Sequence, residues 1–238
     1  MSANSAKMQV KGLNVAYGES LVLRGVDFTL REGSITAVMG RNGVGKTTFL
    51  KGLMGLLPAQ SGEIELDGKP IHTLSTDQRA RSGIALVPQG REVFPRMTVK
   101  ENLIMGLEVL PRAQRKLPEE LIYDLFPVLS KMGRRMGGNL SGGQQQQLSI
   151  ARALAGDPSV LMLDEPTEGL QPSIILDIEK VLNTLKARGG MSIVLVEQYL
   201  AFAQRLADYY YIFDRGSIVF HGTREDLTED AIKKYLTF

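Results

Sequence analysis

Gly40-Arg41-Asn42-Gly43-Val44-Gly45-Lys46-Thr47 is the stretch that decides how this chain reads. It satisfies G-x-x-x-x-G-K-[ST] at every specified position, follows the apolar run Ile35-Thr36-Ala37-Val38-Met39, and precedes a helix-like run from Thr47 to Met54. That strand–loop–helix setting separates a phosphate-binding loop from a glycine-rich turn carrying a solvated lysine. Glycines let successive backbone N–H groups curl inward around phosphate oxygens, and the following helix aims its positive end at the same anion. The spacing predicts that Lys46 reaches the β- and γ-phosphates and that the Thr47 hydroxyl ligates Mg²⁺. With Thr48 continuing the motif into the helix, residues 40–48 are predicted to hold a nucleoside triphosphate.

Working outward, 238 residues suffice for one large α/β domain or two small ones. The 43% apolar content is ordinary for a globular chain, and a net charge of +2 offers no basic stripe for nucleic acid. The absence of cysteine excludes disulfides and thiolate metal sites and fits a reducing compartment. Met1–Lys7 has no apolar core, so no signal peptide is expected there, and no apolar run approaches the roughly 20 residues of a membrane span. The expectation is a soluble chain that can still dock on a membrane protein.

Strands are predicted at Met8–Val15, Leu21–Leu30, Gly62–Leu66 and Ile84–Val87, with turns at Tyr17-Gly18-Glu19, Asp67-Gly68 and Ser82-Gly83. From Thr98 to Ala155 the pattern turns helical, with Pro111, Pro118 and Pro127 near helix ends. Short continuous apolar runs at Val160–Leu163 and Ser192–Val196 read as buried parallel strands, joined by an amphipathic crossover helix over Ser173–Arg188. Tyr209–Gly222 reads as a hairpin turning at Asp214-Arg215-Gly216. The predicted fold is an α/β nucleotide core interrupted by a helical insert over about residues 90–155.

Val160-Leu161-Met162-Leu163-Asp164 is an apolar strand ending in a carboxylate, the arrangement that holds Mg²⁺ beside a phosphate loop. Glu165 follows at once. Because adjacent strand residues point to opposite faces, Asp164 is expected to serve the metal and Glu165 to turn toward an attacking water as general base. Taken alone, Asp-Glu-Pro is equally a polar strand exit. A third motif, Leu140-Ser141-Gly142-Gly143-Gln144-Gln145-Gln146-Gln147-Leu148, opens a helix with Ser141 as N-cap and two glycines that let a phosphate approach backbone donors. By itself this is also what any capped helix looks like.

Together, the phosphate loop, L-S-G-G-Q and L-M-L-D-E-P-T resemble the ATP-binding-cassette (ABC) ATPases, from about Met8 to the C-terminus. The resemblance implies a single P-loop NTPase domain of ABC type, with a mixed-sheet core, an antiparallel β subdomain and the helical insert. It implies that Tyr17 stacks on adenine, although a turn-flanking core aromatic is the alternative. It implies that Gln89 senses Mg²⁺ and the γ-phosphate, and that Ser141, Gly142, Gly143 and Gln144 face the ATP of a second subunit. ATP and Mg²⁺ are the implied ligands, with Thr47, Gln89 and Asp164 at the metal and Lys46, Glu165 and Gln198 catalytic.

Two positions depart from the family pattern. Gln198 stands after Leu195-Val196-Glu197 where a histidine is usual, and Gln171 stands where an aspartate is usual at the dimer contact. Glutamine can donate a hydrogen bond to phosphate but carries no charge, so Gln198 is expected to keep a positioning role with a weaker electrostatic contribution. The run from Pro88-Gln89-Gly90-Arg91 to Glu101-Asn102-Leu103, together with Glu197-Gln198, is similar to the ATPases of branched-chain amino-acid and urea importers. Residues 40–46 and 168–175 are closer to the urea type. The resemblance implies a second ABC ATPase chain, two permeases and an extracytoplasmic binding protein as partners, at the cytoplasmic face of the membrane. The permease is expected to meet Val93, Phe94, Pro95, Arg96 and Met97, unless Val93, Phe94 and Met97 pack inside the insert. With a short stretch after Gly222, no added regulatory domain is expected there. A non-transport ABC ATPase, a scaffold with little hydrolysis and a small-molecule kinase are the other classes. The first would show two cassettes or a long coiled coil, the intact Asp164–Glu165 pair argues against the second, and the third has no use for Ser141-Gly142-Gly143.

Overall fold

Alternating apolar residues build the first two strands, and bulges keep the alternation in phase. In the computed structural model, which describes residues 5–236, β1 (Ala6–Tyr17) pairs antiparallel with β2 (Ser20–Arg31). Val10 opposes Phe28 but Leu13 opposes Val26, so β1 carries one extra residue at Lys11–Gly12, where Gly12 takes φ 58°. The bulge lets Met8, Val10, Leu13 and Val15 all face inward although their spacing changes from two to three. Both strands run one or two residues past the predicted limits at each end. The first four residues of the segment read as lacking a leader, and the last two of the chain, lie outside the described residues.

β1 and β2 belong to a four-stranded antiparallel sheet with β4 (Ala59–Leu66) and the short β5 (Lys69–Pro70), in the order β2-β1-β4-β5. The second sheet has six strands, ordered β10-β9-β3-β8-β7-β6. Its members β3 (Ile35–Met39), β6 (Ile84–Val87), β7 (Val160–Asp164), β8 (Ser192–Val196) and β9 (Tyr209–Asp214) are parallel, and β10 (Ser217–Thr223) closes the edge as the antiparallel arm of a hairpin. The predicted strand positions hold throughout, and the architecture is the expected mixed sheet with an antiparallel subdomain and helices.

Every residue of β3, β7 and β8 is buried, because both faces of the sheet are covered. Odd-numbered residues such as Ala37, Leu161, Leu163 and Leu195 pack with α6 (Gly142–Ala155), α7 (Pro172–Arg188) and α8 (Leu200–Leu206). Even-numbered Val38, Val160, Met162 and Val194 pack with α1 (Lys46–Met54) and the antiparallel sheet.

The helical region is more broken than the sequence pattern predicts. It consists of α3 (Val99–Met105), α4 (Glu119–Leu125), α5 (Pro127–Ser130) and α6, linked by 3₁₀ turns. Pro118 immediately precedes α4 and Pro127 opens α5, as proline at a helix start requires. Helices α2 (Thr76–Arg81) and α9 (Glu229–Tyr235), together with α8, were not foreseen. All three have six or seven residues, too few for a 3.6-residue period to show. Among the described residues, no helix is long and apolar enough to cross a membrane.

Candidate functional site at the strand ends

Four parallel strands, β3, β6, β7 and β8, deliver their carboxyl ends to one edge of the sheet, the place where open α/β sheets bind ligands. After β3 the chain turns through Gly40, at φ 139°, where any Cβ would collide with the Phe213 carbonyl oxygen. Gly45, at φ 112°, then starts α1 with no side chain capping its first N–H groups. Those unpaired donors are what an anion at a helix N-terminus uses. Arg41, Asn42 and Gly43 are exposed, and Thr48 is buried at the foot of the helix.

Lys46 is 4% exposed, and its Nζ donates to the carbonyls of Gly40 (2.8 Å) and Arg41 (3.0 Å) while lying 3.5 Å from a Glu165 carboxylate oxygen. Burial pulls its pKa below the ordinary lysine value, and the facing Glu165 opposes that shift. Thr47 Oγ1 donates to Asp164 Oδ1 at 3.3 Å. Asp164 is 3% exposed, and burial pushes its carboxyl up to about 6, against the hydrogen bond from Thr47. Thr47, Gln89 and Asp164 line one cavity of about 380 Å³. Their donors are all oxygens, the hard set that suits Mg²⁺. The described residues contain no cluster of three Asp, Glu, His or Cys that could hold a metal, so these three ligands would rely on phosphate and water to complete the shell.

The expectation that strand alternation turns Glu165 toward the site is corrected by the structure. It lies past the end of β7 with φ 48°, in the left-handed region that is costly for a residue with a Cβ. Its N–H still bonds the Val196 carbonyl at 2.9 Å, so the backbone stays on the sheet while the twist swings the side chain toward Lys46. Both carboxylate oxygens accept amide donors: Oε1 from Gln198 Nε2 at 2.6 Å and Oε2 from Gln89 Nε2 at 3.2 Å. The structure thus gathers Lys46, Thr47, Gln89, Asp164, Glu165 and Gln198.

Glu197 is the member that sequence reasoning missed. It is 2% exposed, and burial raises its pKa against hydrogen bonds from the Thr167 hydroxyl (2.6 Å) and from the N–H groups of Thr167, Gln198 and Tyr199. One buried carboxylate therefore ties the turn after β7 to the turn after β8. The available signal was an acid closing a five-residue apolar strand, since buried acids are rare without partners.

The other expected residues lie apart from this cluster. Ser141 caps α6, and Gln144 closes a capping box by accepting the Ser141 N–H at 3.0 Å, a use of Gln144 not foreseen. Gly142 and Gly143 lie against Arg91 and Ile174, so their bareness also serves packing within the chain. Tyr17 is 48% exposed at the end of β1, which overturns the core-aromatic alternative and leaves a face open. Val44 packs under the loop, and Gln171 is exposed at the start of α7. His221 is exposed, and His72 is half-buried, with Nδ1 lacking a partner.

The 93–97 segment is divided between the surface and the insert. Phe94, Pro95 and Arg96 are exposed, whereas Val93 and Met97 are half-buried. Fully buried Asn102 fixes the loop by bonding the N–H and C=O of Phe94 and the carbonyls of Met97 and Thr98. The Arg152 guanidinium sits 4.9 Å from the Phe94 ring centroid. Its Nη1 is buried without a partner, beside an apolar cavity of about 260 Å³ lined by Met54, Ala80, Leu86, Phe94 and Met105.

The sequence pattern of the ABC transporter family matches residues 23–168. The chain is 40% identical over 207 residues to BraG of Pseudomonas aeruginosa, a high-affinity branched-chain amino acid transport ATP-binding protein, covering 87% of this chain and 88% of that one. It is 40% identical over 221 residues to LivF of Archaeoglobus fulgidus, a probable branched-chain amino acid transport ATP-binding protein, with coverage of 91% and 92%. Among solved structures, a nucleotide-free ATP-binding cassette from an ABC transporter superposes with a TM-score of 0.83 at 27% identity, covering 98% of this chain and 96% of that one.

Proposed function

The chain belongs to the ABC transporter family as one of its ATP-hydrolysing cassettes, and we propose that it powers an importer of the branched-chain amino-acid and urea group. The observation that carries the hydrolytic part is the convergence of Lys46, Thr47, Gln89, Asp164, Glu165 and Gln198 at one sheet edge. Urea is the solute we favour, on the resemblance of residues 40–46 and 168–175. A branched-chain amino acid is the second reading, favoured by the two relatives at 40% identity.

In this mechanism the N–H groups opening α1 hold the phosphates, and Lys46 leaves the loop carbonyls to neutralise charge developing on the transferred phosphoryl. Glu165 orients the attacking water and accepts its proton, and Gln198 holds the Glu165 carboxylate from the far side. Mg²⁺, held by Thr47, Asp164 and Gln89, would supply further charge neutralisation on the phosphate oxygens. Tyr17 offers its open face to adenine, and Ser141, Gly142, Gly143 and Gln144 act on the ATP of a second cassette. The dimer would form with a second ABC chain, of the same or of a different kind. The cavity beside Phe94 and Arg152 would receive a permease at the cytoplasmic face of the membrane, with an extracytoplasmic binding protein completing the complex.

Tagging the chain in its native cell, purifying it from gently solubilised membranes and identifying what accompanies it tests this proposal. Two permeases, a second cassette and a solute-binding protein are expected, and titrating that binding protein with urea and with leucine separates the two solutes. Recovery with ribosomes, nucleic acid or no membrane protein would overturn the importer.

A further inference from the structure

Gln89 has one group that can ligate a metal, its amide oxygen, and one that cannot, its NH₂. A glutamine side chain that is free to rotate presents either. Here the Gln89 Nε2 lies 2.9 Å from Glu168 Oε2 and 3.2 Å from Glu165 Oε2, so two carboxylates claim the two N–H bonds. Flipping the amide would set its oxygen against both anions. Glu168 itself is placed from below. Its N–H bonds the Glu165 carbonyl at 3.2 Å, and the preceding Thr167 is bound through N–H and hydroxyl to buried Glu197. The mechanism above gives Glu168 no task, and its exposure makes a packing role weak.

We propose that Glu168 is a positioning residue for the metal: together with Glu165 it holds the NH₂ of Gln89, leaving the amide oxygen as the group offered to Mg²⁺ beside Thr47 and Asp164. The inference rests on the ATPase reading of the site. It predicts a requirement for a hydrogen-bond acceptor at position 168, which a glutamine carbonyl meets and an alanine does not.

The test is Mn²⁺ binding, followed by electron paramagnetic resonance, to the full chain saturated with a non-hydrolysable ATP analogue. Glu168→Ala is expected to weaken Mn²⁺ binding about tenfold, the loss that a broken hydrogen bond to a charged group produces. Glu168→Gln is expected to stay within about twofold of wild type. Adding Glu168→Ala to Gln89→Ala is expected to cost nothing further, because the two act through one amide. Nucleotide affinity in EDTA should be the same for every variant. Unmoved Mn²⁺ affinity in Glu168→Ala, equal losses for Ala and Gln, or full additivity with Gln89→Ala would each overturn the proposal. If the wild-type chain bound no nucleotide even in EDTA, the ATPase reading would fall and this proposal with it. Normal nucleotide binding with unmoved Mn²⁺ affinity defeats the proposal alone.

Discussion

The phosphate-loop edge and the Phe94 face adjoin, with Met54, Leu86 and Arg152 lining the cavities of both, yet they treat their charges in opposite ways. At the edge, Lys46, Asp164, Glu165 and Glu197 are wholly or largely buried, and each finds partners within the chain. At the Phe94 face, an aromatic ring is 41% exposed and a buried guanidinium nitrogen of Arg152 has no acceptor. Water-excluded charges with fixed partners are what preorganised chemistry needs. Apolar surface rimmed by an unsatisfied donor is what a docking face looks like before its partner arrives. The chain thus closes the polar contacts of the first region with its own residues and leaves those of the second open.

Glu165→Gln should break the first half of that contrast most severely. Phosphate-release assays are expected to show turnover falling by about 10²–10⁴-fold, the range of a lost general base. ATP binding should be retained and a closed dimer should accumulate, detectable by sedimentation. Full activity would remove Glu165 from its role.

Asp164→Asn sharpens the same half through stability. A carboxyl whose pKa is raised by folding costs the folded state its ionisation, a cost fully present above about pH 6 and absent below the ordinary value near 3.8. Urea unfolding without nucleotide should therefore find the variant more stable by about 2–3 kcal/mol at pH 8, with the gain shrinking as pH falls toward 4. A variant no more stable than wild type at pH 8 would mean that Asp164 is not held against its own charge.

Gln198→Ala removes one of the amides that orient Glu165, without removing charge. About a tenfold loss of turnover is expected, the size of one hydrogen bond to a carboxylate. Unchanged hydrolysis would end the positioning role. The smallest effect on the isolated chain should come from Phe94→Asp, at the other face. Nucleotide affinity by calorimetry should stay within about twofold, as for a surface substitution, while reconstituted transport should be lost. Loss of ATP binding would show that Phe94 supports the fold rather than a partner.

The local signals in this sequence are strong where chemistry demands residue types at fixed spacing. Gly40 to Thr47 needs positive φ and free N–H groups, so the glycines could be read directly, and the short continuous apolar runs Val160–Leu163 and Ser192–Val196 read as strands covered on both faces. The two early strands were legible but fell one or two residues short at each end, where pairing such as Tyr17 with Ser20 and Ala6 with Arg31 carries the ladder past the apolar alternation. Short helices such as α2 and α8 carry too few turns to show a period. What only the tertiary structure decided is which polar groups share an atom. The left-handed turn at Glu165, the buried carboxylate of Glu197 binding two loops, and the Gln89 amide held between Glu165 and Glu168 join residues separated by 30 to 80 positions in the chain. Sequence spacing sets the chemistry within one strand–loop–helix unit. Contacts between the ends of neighbouring strands depend on sheet order, β3-β8-β7-β6, which no local pattern encodes.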